Sequence, residues 1–141
     1  MRTDLTFTIV KPTAFEKNYL GPIIEIFNRN GFKIKAMKLT RMSYKKAKEF
    51  YAEHESKPFF ESVLSYMTSG PVVVAVLQKE NAIADFREMI GATDPAKAQY
   101  GTIRKMFADS KESNAVHGSD SDASAQREMS IFFTEEELFF D

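Results

Sequence analysis

The seven residues VVVAVLQ, Val72–Gln78, open with six consecutive β-branched and aliphatic side chains. A strand apolar at every position has no wet face, so it demands cover on both sides and a central place in a sheet. The chain must therefore fold around this segment. LTFTIV, Leu5–Val10, is a second strand pattern that stops at Lys11-Pro12, a strand running into a loop. LGPIIEIFNRNG from Leu20 carries Ile23, Ile24 and Phe27 on one helical face and stops at Asn30-Gly31. FKIKAMKLTRM then alternates Phe32, Ile34 and Ala36 with lysines, which predicts a strand with one wet face. SYKKAKEFYAEH, opening on a serine cap, and PFFESVLSYMTSGP, closed by Gly70-Pro71, predict a helical hairpin. NAIADFREMIG predicts a helix capped by Asn81 and ended by Gly91. The segment after it is a long, punctuated loop with one helical turn around Ile103 to Phe107. A short strand NAVH and a helix DASAQREMSIFF complete the chain.

This order predicts an α+β, ferredoxin-like domain: repeated βαβ units making a four-stranded antiparallel sheet with helices on one face. With 141 residues, 43% of them hydrophobic, the chain is expected to be a single domain over 1–141. Thirteen phenylalanines and no tryptophan predict a phenylalanine-built core. The absence of cysteine excludes disulfides, thiolate metal sites and a cysteine nucleophile. A formal charge of −1 supplies no global field for a nucleic acid, and none is expected as a partner. No run approaches the roughly 20 apolar residues of a membrane span, so the expected setting is cytoplasmic, with no membrane partner.

The chemistry-bearing candidate is His117, one of two histidines, in NAVHGSDS. A neutral imidazole is available near cellular pH and can act as a nucleophile if its second nitrogen is held by an acceptor. Glu128 lies seven residues after Ser121, two turns along the expected helix and on the same face. Asp120 and Asp122 at the start of that helix oppose an anion there, so a phosphate near His117 needs cations from elsewhere. Neither a Walker A loop nor GxGxxG occurs. By themselves these residues also fit ordinary structural roles: His54 reads as a solvated helix-end residue, Phe59 beside Phe60 as core, and Thr93-Asp94-Pro95 as a turn.

Several motifs occur together in order: TIVKP, FYAEHESKPFF, VVVAVLQKENAI, FREMIGATDPAKAQYGTIR, NAVHGSDS and SAQREMSIFF. Along nearly its whole length the chain thereby resembles the nucleoside diphosphate kinases. The resemblance implies transfer of the γ-phosphate of a nucleoside triphosphate to a nucleoside diphosphate, in ping-pong fashion, through a phosphohistidine at His117. It implies that Glu128 orients the imidazole, with Ser119 in support, and that Lys11 and Asn114 reach the ribose hydroxyls, Lys11 also the moving phosphate. Arg87, Thr93 and Arg104 would hold the distal phosphates, Tyr51 would stand by the γ-phosphate, and Phe59 would stack on the base with little base selectivity. Mg²⁺ would be held mainly by nucleotide oxygens and water, and the chain would be a homo-oligomer, tetramer or hexamer, built from dimers. Lys105-Met106 and Lys111-Glu112-Ser113 depart from the common family pattern in a loop near the nucleotide, and Phe139 and Phe140 are expected to dock on a neighbour or on their own domain. The competing readings are a non-catalytic nucleotide-binding module on the same scaffold and a single-stranded nucleic-acid binder.

Overall fold

The fold is a computed structural model describing residues 2–140; the two ends of the expected 1–141 domain lie outside the described residues. Strands β1 (Leu5–Val10), β2 (Lys33–Thr40), β3 (Val72–Gln78) and β4 (Val116–Gly118) form one sheet in the order β2-β3-β1-β4. Every pairing is antiparallel, the ferredoxin-like arrangement expected. β3 is central and buried from Val72 to Leu77, as its unbroken apolar run requires.

Two crossover helices, α2 (Leu20–Arg29) and α5 (Ala82–Ile90), join the strands and cover one face. Ile23, Ile26, Phe27, Phe86 and Ile90 pack there against Val73, Ala75 and Leu77. The expectation that helices lie on one face alone is corrected. Helices α3 (Tyr44–Phe50), α4 (Phe60–Met67) and α7 (Asp122–Phe132) cover the other face, where Val72, Val74 and Val76 meet Phe50, Leu64, Met129 and Phe132. The physical reason lies in β1 and β3: Phe7 and Ile9 join the even-numbered valines on that face, each such side chain stabilising by roughly 1.5–3 kcal/mol when fully buried. Leaving that face open would forfeit this term.

Three local expectations are corrected. Lys11-Pro12 does not open a loop: Pro12 starts a short helix, α1 (Pro12–Glu16), because proline at the first helical position gives up no needed donor. Asn81 does not cap α5 with its side chain; it turns the backbone at φ 58°, a left-handed conformation asparagine tolerates. The alternation of β2 breaks at a bulge between Ile34 and Ala36, so Phe32 and Ile34 join one core and Ala36 the other. The single turn expected near Ile103 is present as α6 (Ile103–Phe107). Phe140 docks on its own domain, under the guanidinium of Arg2 at 4.6 Å, while Phe139 remains 71% exposed.

Candidate active site

β4 pairs with β1 so that His117 stands opposite Ile9, and Lys11 leaves the sheet beside the approach to β4. There Lys11 N–H donates to the Ala115 carbonyl at 2.9 Å, and its Nζ donates to Asn114 Oδ1 at 2.7 Å. Ala115 has φ 73°, and Val116 N–H closes a three-residue turn on the Asn114 carbonyl at 2.9 Å. A non-glycine residue in this region persists only where neighbours over-determine it. Lys11 does so from one side, and Arg104, donating from Nη2 to the Val116 carbonyl at 2.9 Å, from the other. The turn delivers His117 into the sheet two residues later. Gly118 follows because a Cβ there would stand 3.0 Å from Ile90 and Phe86 of α5, so β4 seats against that helix only without a side chain.

His117 Nε2 lies 2.9 Å from Glu128 Oε1, and Ser119 Oγ donates to the same oxygen at 2.7 Å. A carboxylate oxygen only accepts, so Nε2 carries the ring hydrogen and Nδ1 presents its lone pair. Nδ1 has no protein partner among the described residues. The His117 side chain is 20% exposed and that of Glu128 7%: the free nitrogen is reachable and its support is dry. The Phe50 ring packs T-shaped against the imidazole at 5.0 Å. Tyr51, at the end of α3, is partly buried beside Phe50, and burial first, then the nearby Glu128 charge, push its hydroxyl above its ordinary pKa. It stays a neutral donor.

A cleft of about 480 Å³ opens between the end of α5 and α6, lined by Arg87, Thr93, Thr102 and Arg104 among others. Arg104 also donates from Nη1 to the Gly91 carbonyl at 3.0 Å; Gly91, at φ 91°, makes the turn that brings that carbonyl round. Burial, then the neighbouring Arg87 charge, push Arg104 down to about 10, and burial, then Arg104, push Lys11 down to about 7. Buried cations held down by a neighbouring cation in this way mark a place that a polyanion relieves. Asn114 Nδ2 reaches the Thr93 carbonyl at 3.3 Å, tying this cleft to the Lys11 side. Phe59 is 48% exposed while Phe60 is buried, so the pair divides between surface and core. A larger cavity, of about 620 Å³ between α7 and the C-terminal segment, contains none of these residues.

The sequence pattern of the family described as nucleoside diphosphate kinase matches residues 4–138. A protein named nucleoside diphosphate kinase from Bdellovibrio bacteriovorus is 51% identical over 138 residues, covering 98% of both chains. One of the same name from Nitratiruptor sp. is 53% identical over 135 residues, covering 96% of this chain and 98% of the other. This chain belongs to the nucleoside diphosphate kinase family. Among solved structures, the Aquifex aeolicus nucleoside diphosphate kinase superposes with a TM-score of 0.94 at 46% identity, covering 96% of this chain and 98% of that one. A halophilic nucleoside diphosphate kinase from Halobacterium salinarum in complex with CDP gives 0.94 at 37% identity, covering 99% and 93%.

As a nucleoside diphosphate kinase the chain is a phosphotransferase, and the sequence-derived candidates fall into linked groups. His117 and Ser119 both bond Glu128, Lys11 bonds Asn114, and Arg87, Thr93 and Arg104 line one cleft. Phe59 stands at the start of α4 with its ring 6.1 Å from that of His54, bonded to none of these. The sequence reading missed Phe50, the Ala115 turn and Tyr66, whose hydroxyl lies 3.1 Å from Thr13 Oγ1 and 3.0 Å from Ser113 Oγ. No pattern signals them: alanine is not a left-handed residue by preference, and Phe50 resembles any core phenylalanine of an amphipathic helix.

Proposed function

We propose that His117 carries the phosphate between nucleotides in two half-reactions. The Nδ1 lone pair attacks the γ-phosphorus of a nucleoside triphosphate, the bond to the β,γ-bridging oxygen breaks, and its electron pair leaves on the diphosphate. A terminal oxygen of a second diphosphate then attacks the phosphohistidine, returning the pair to Nδ1. The observation that carries this reading is the single hydrogen bond from Nε2 to Glu128, which fixes the tautomer and leaves Nδ1 open. Glu128 offsets the positive charge that grows on the ring as the N–P bond forms, which an oriented carboxylate in a dry site does well.

Lys11, Arg87 and Arg104 neutralise the phosphates, Thr93 and Tyr51 donate hydroxyls to them, and Asn114 with Lys11 holds the ribose. Mg²⁺ would supply further neutralisation of the phosphate oxygens. It would be held mainly on the nucleotide's own oxygens and water. Nucleoside di- and triphosphates are the partners, the setting is cytoplasmic, and the chain works as a homo-oligomer. Met37 and Leu39, 46% and 60% exposed on edge strand β2, support that assembly, since an apolar edge invites cover. No helix among the described residues is long and apolar enough to cross a membrane.

The test is to mix the protein with γ-labelled ATP and Mg²⁺ without acceptor, then chase with GDP, CDP and dTDP. An acid-labile, base-stable label that leaves to all three supports the proposal; nucleotide binding without any label defeats it. Glu128→Ala is expected to slow label formation by about 10–100-fold, the usual cost of losing the group that orients a reactive histidine, and an unchanged rate would make Glu128 purely structural. Phe59→Ala is expected to raise KM for purine and pyrimidine nucleotides alike, because a ring face contacts every base. A rise confined to purines would contradict base-indifferent stacking.

A further inference from the structure

We infer that Arg127 is a positioning residue for the His117 imidazole, acting through Phe50. Arg127 and Glu128 are neighbours on α7, and successive helical residues project about 100° apart. One turn of α7 thus serves two elements: Glu128 reaches His117, and Arg127 reaches the end of α3. The last carbonyls of a helix have no intrahelical donor. Arg127 fills that need with its planar fork, Nη1 donating to the Glu49 carbonyl at 3.3 Å and Nη2 to the Phe50 carbonyl at 3.2 Å. Its other polar neighbour, Glu53, stands 4.0 Å from Nε, and Nε itself is buried without a hydrogen bond. The guanidinium is therefore committed to α3.

What it anchors is the wall of the imidazole. Phe50 is 3% exposed, and its ring stands at 76° to that of His117 with centroids 5.0 Å apart. One hydrogen bond at Nε2 fixes one atom of the ring and leaves rotation about that bond open. Phe50 closes that rotation, and so decides where Nδ1 points. α3 has only seven residues and passes at Tyr51 straight into a short turn, Ala52–His54, that is exposed throughout. A helix end so short frays unless its carbonyls are held, and fraying would move Phe50 away from the ring.

This inference rests on His117 being the phosphate carrier, and the experiment separates the two. Single-turnover phosphorylation by γ-labelled ATP with Mg²⁺ is timed by quenched flow for wild type, Arg127→Ala, Arg127→Lys, Phe50→Leu and the Arg127→Ala/Phe50→Leu double variant, with ATP affinity measured alongside. Arg127→Ala is expected to slow the phosphorylation step by about 10–100-fold, the scale of lost orienting contacts, with ATP affinity unchanged. Arg127→Lys should recover part of the rate. The double variant should be no slower than Phe50→Leu alone, since a residue acting through Phe50 has nothing left to act through. Slowing of less than about tenfold, a loss confined to affinity, or full additivity with Phe50→Leu would overturn the inference. Arg127→Gln, which keeps the stem and loses the fork, carries the same test if the alanine variant does not fold. Absence of phosphohistidine in wild type would instead defeat the carrier assignment.

Discussion

His117→Gln is expected to form no phosphoenzyme and to lose nucleotide-to-nucleotide transfer by about 10⁴-fold or more, the scale on which removing a covalent nucleophile acts. The fold should survive. A glutamine side-chain amide can still donate to Glu128 Oε1, which also keeps its bond from Ser119 at 2.7 Å, so no carboxylate is left buried without a partner. Phe7 and Phe50, 6.2 and 5.0 Å from the ring centroid, keep the packing on that side. The measurement is acid-labile label per protomer together with a thermal melt. A variant that melts like wild type and still turns over at more than a per cent of its rate would remove His117 from the chemistry.

Lys11→Gln is the second large effect, expected to cost about 10²–10³ in kcat, as when one preorganised donor to a reacting oxyanion is lost. A glutamine can still bond Asn114 Oδ1, so the Ala115 turn, held through the Lys11 backbone, should stay formed. What is lost is charge. Burial and Arg104 hold Lys11 at about 7, with Glu112 opposing them, so near pH 8 the free enzyme carries this side chain mostly neutral. Phosphates entering beside it favour the cation and raise its pKa, so binding takes up a proton. The sign follows: below about 7 Lys11 is already charged and affinity is flat with pH, whereas above it affinity falls as pH rises, because the proton must be supplied from ever more dilute solution. Calorimetry in buffers of different ionisation enthalpy should find proton uptake approaching one at pH 8 in wild type and less by that amount in Lys11→Gln. Equal uptake in the two proteins would show that Lys11 does not change charge.

Legibility followed the range of the interaction. The β3 run and the α2 face could be read from sequence because their signals are local: side-chain periodicity records which faces are wet. Ser43 was readable for the same reason, and it does cap its helix, accepting from the Lys46 backbone N–H. The bulge in β2 was not, since only pairing with β3 exposes the extra residue. Nor was the second layer of helices, because α3, α4 and α7 look like ordinary amphipathic helices until the sheet face they cover is known.

For the site, the sequence by itself determined the chemical inventory: a histidine in NAVHGSDS, a carboxylate two turns along the following helix, separated cations, and no thiol. Only the tertiary structure decided which nitrogen is free, that the carboxylate is dry, and that Phe50 walls the ring. The reason is distance along the chain. Glu128 is 11 residues from His117 and Asn114 is 103 from Lys11, so no local pattern records either contact. Desolvation of Lys11 and Arg104 likewise belongs to the packed molecule: a sequence lists charges, and only folding takes them out of water.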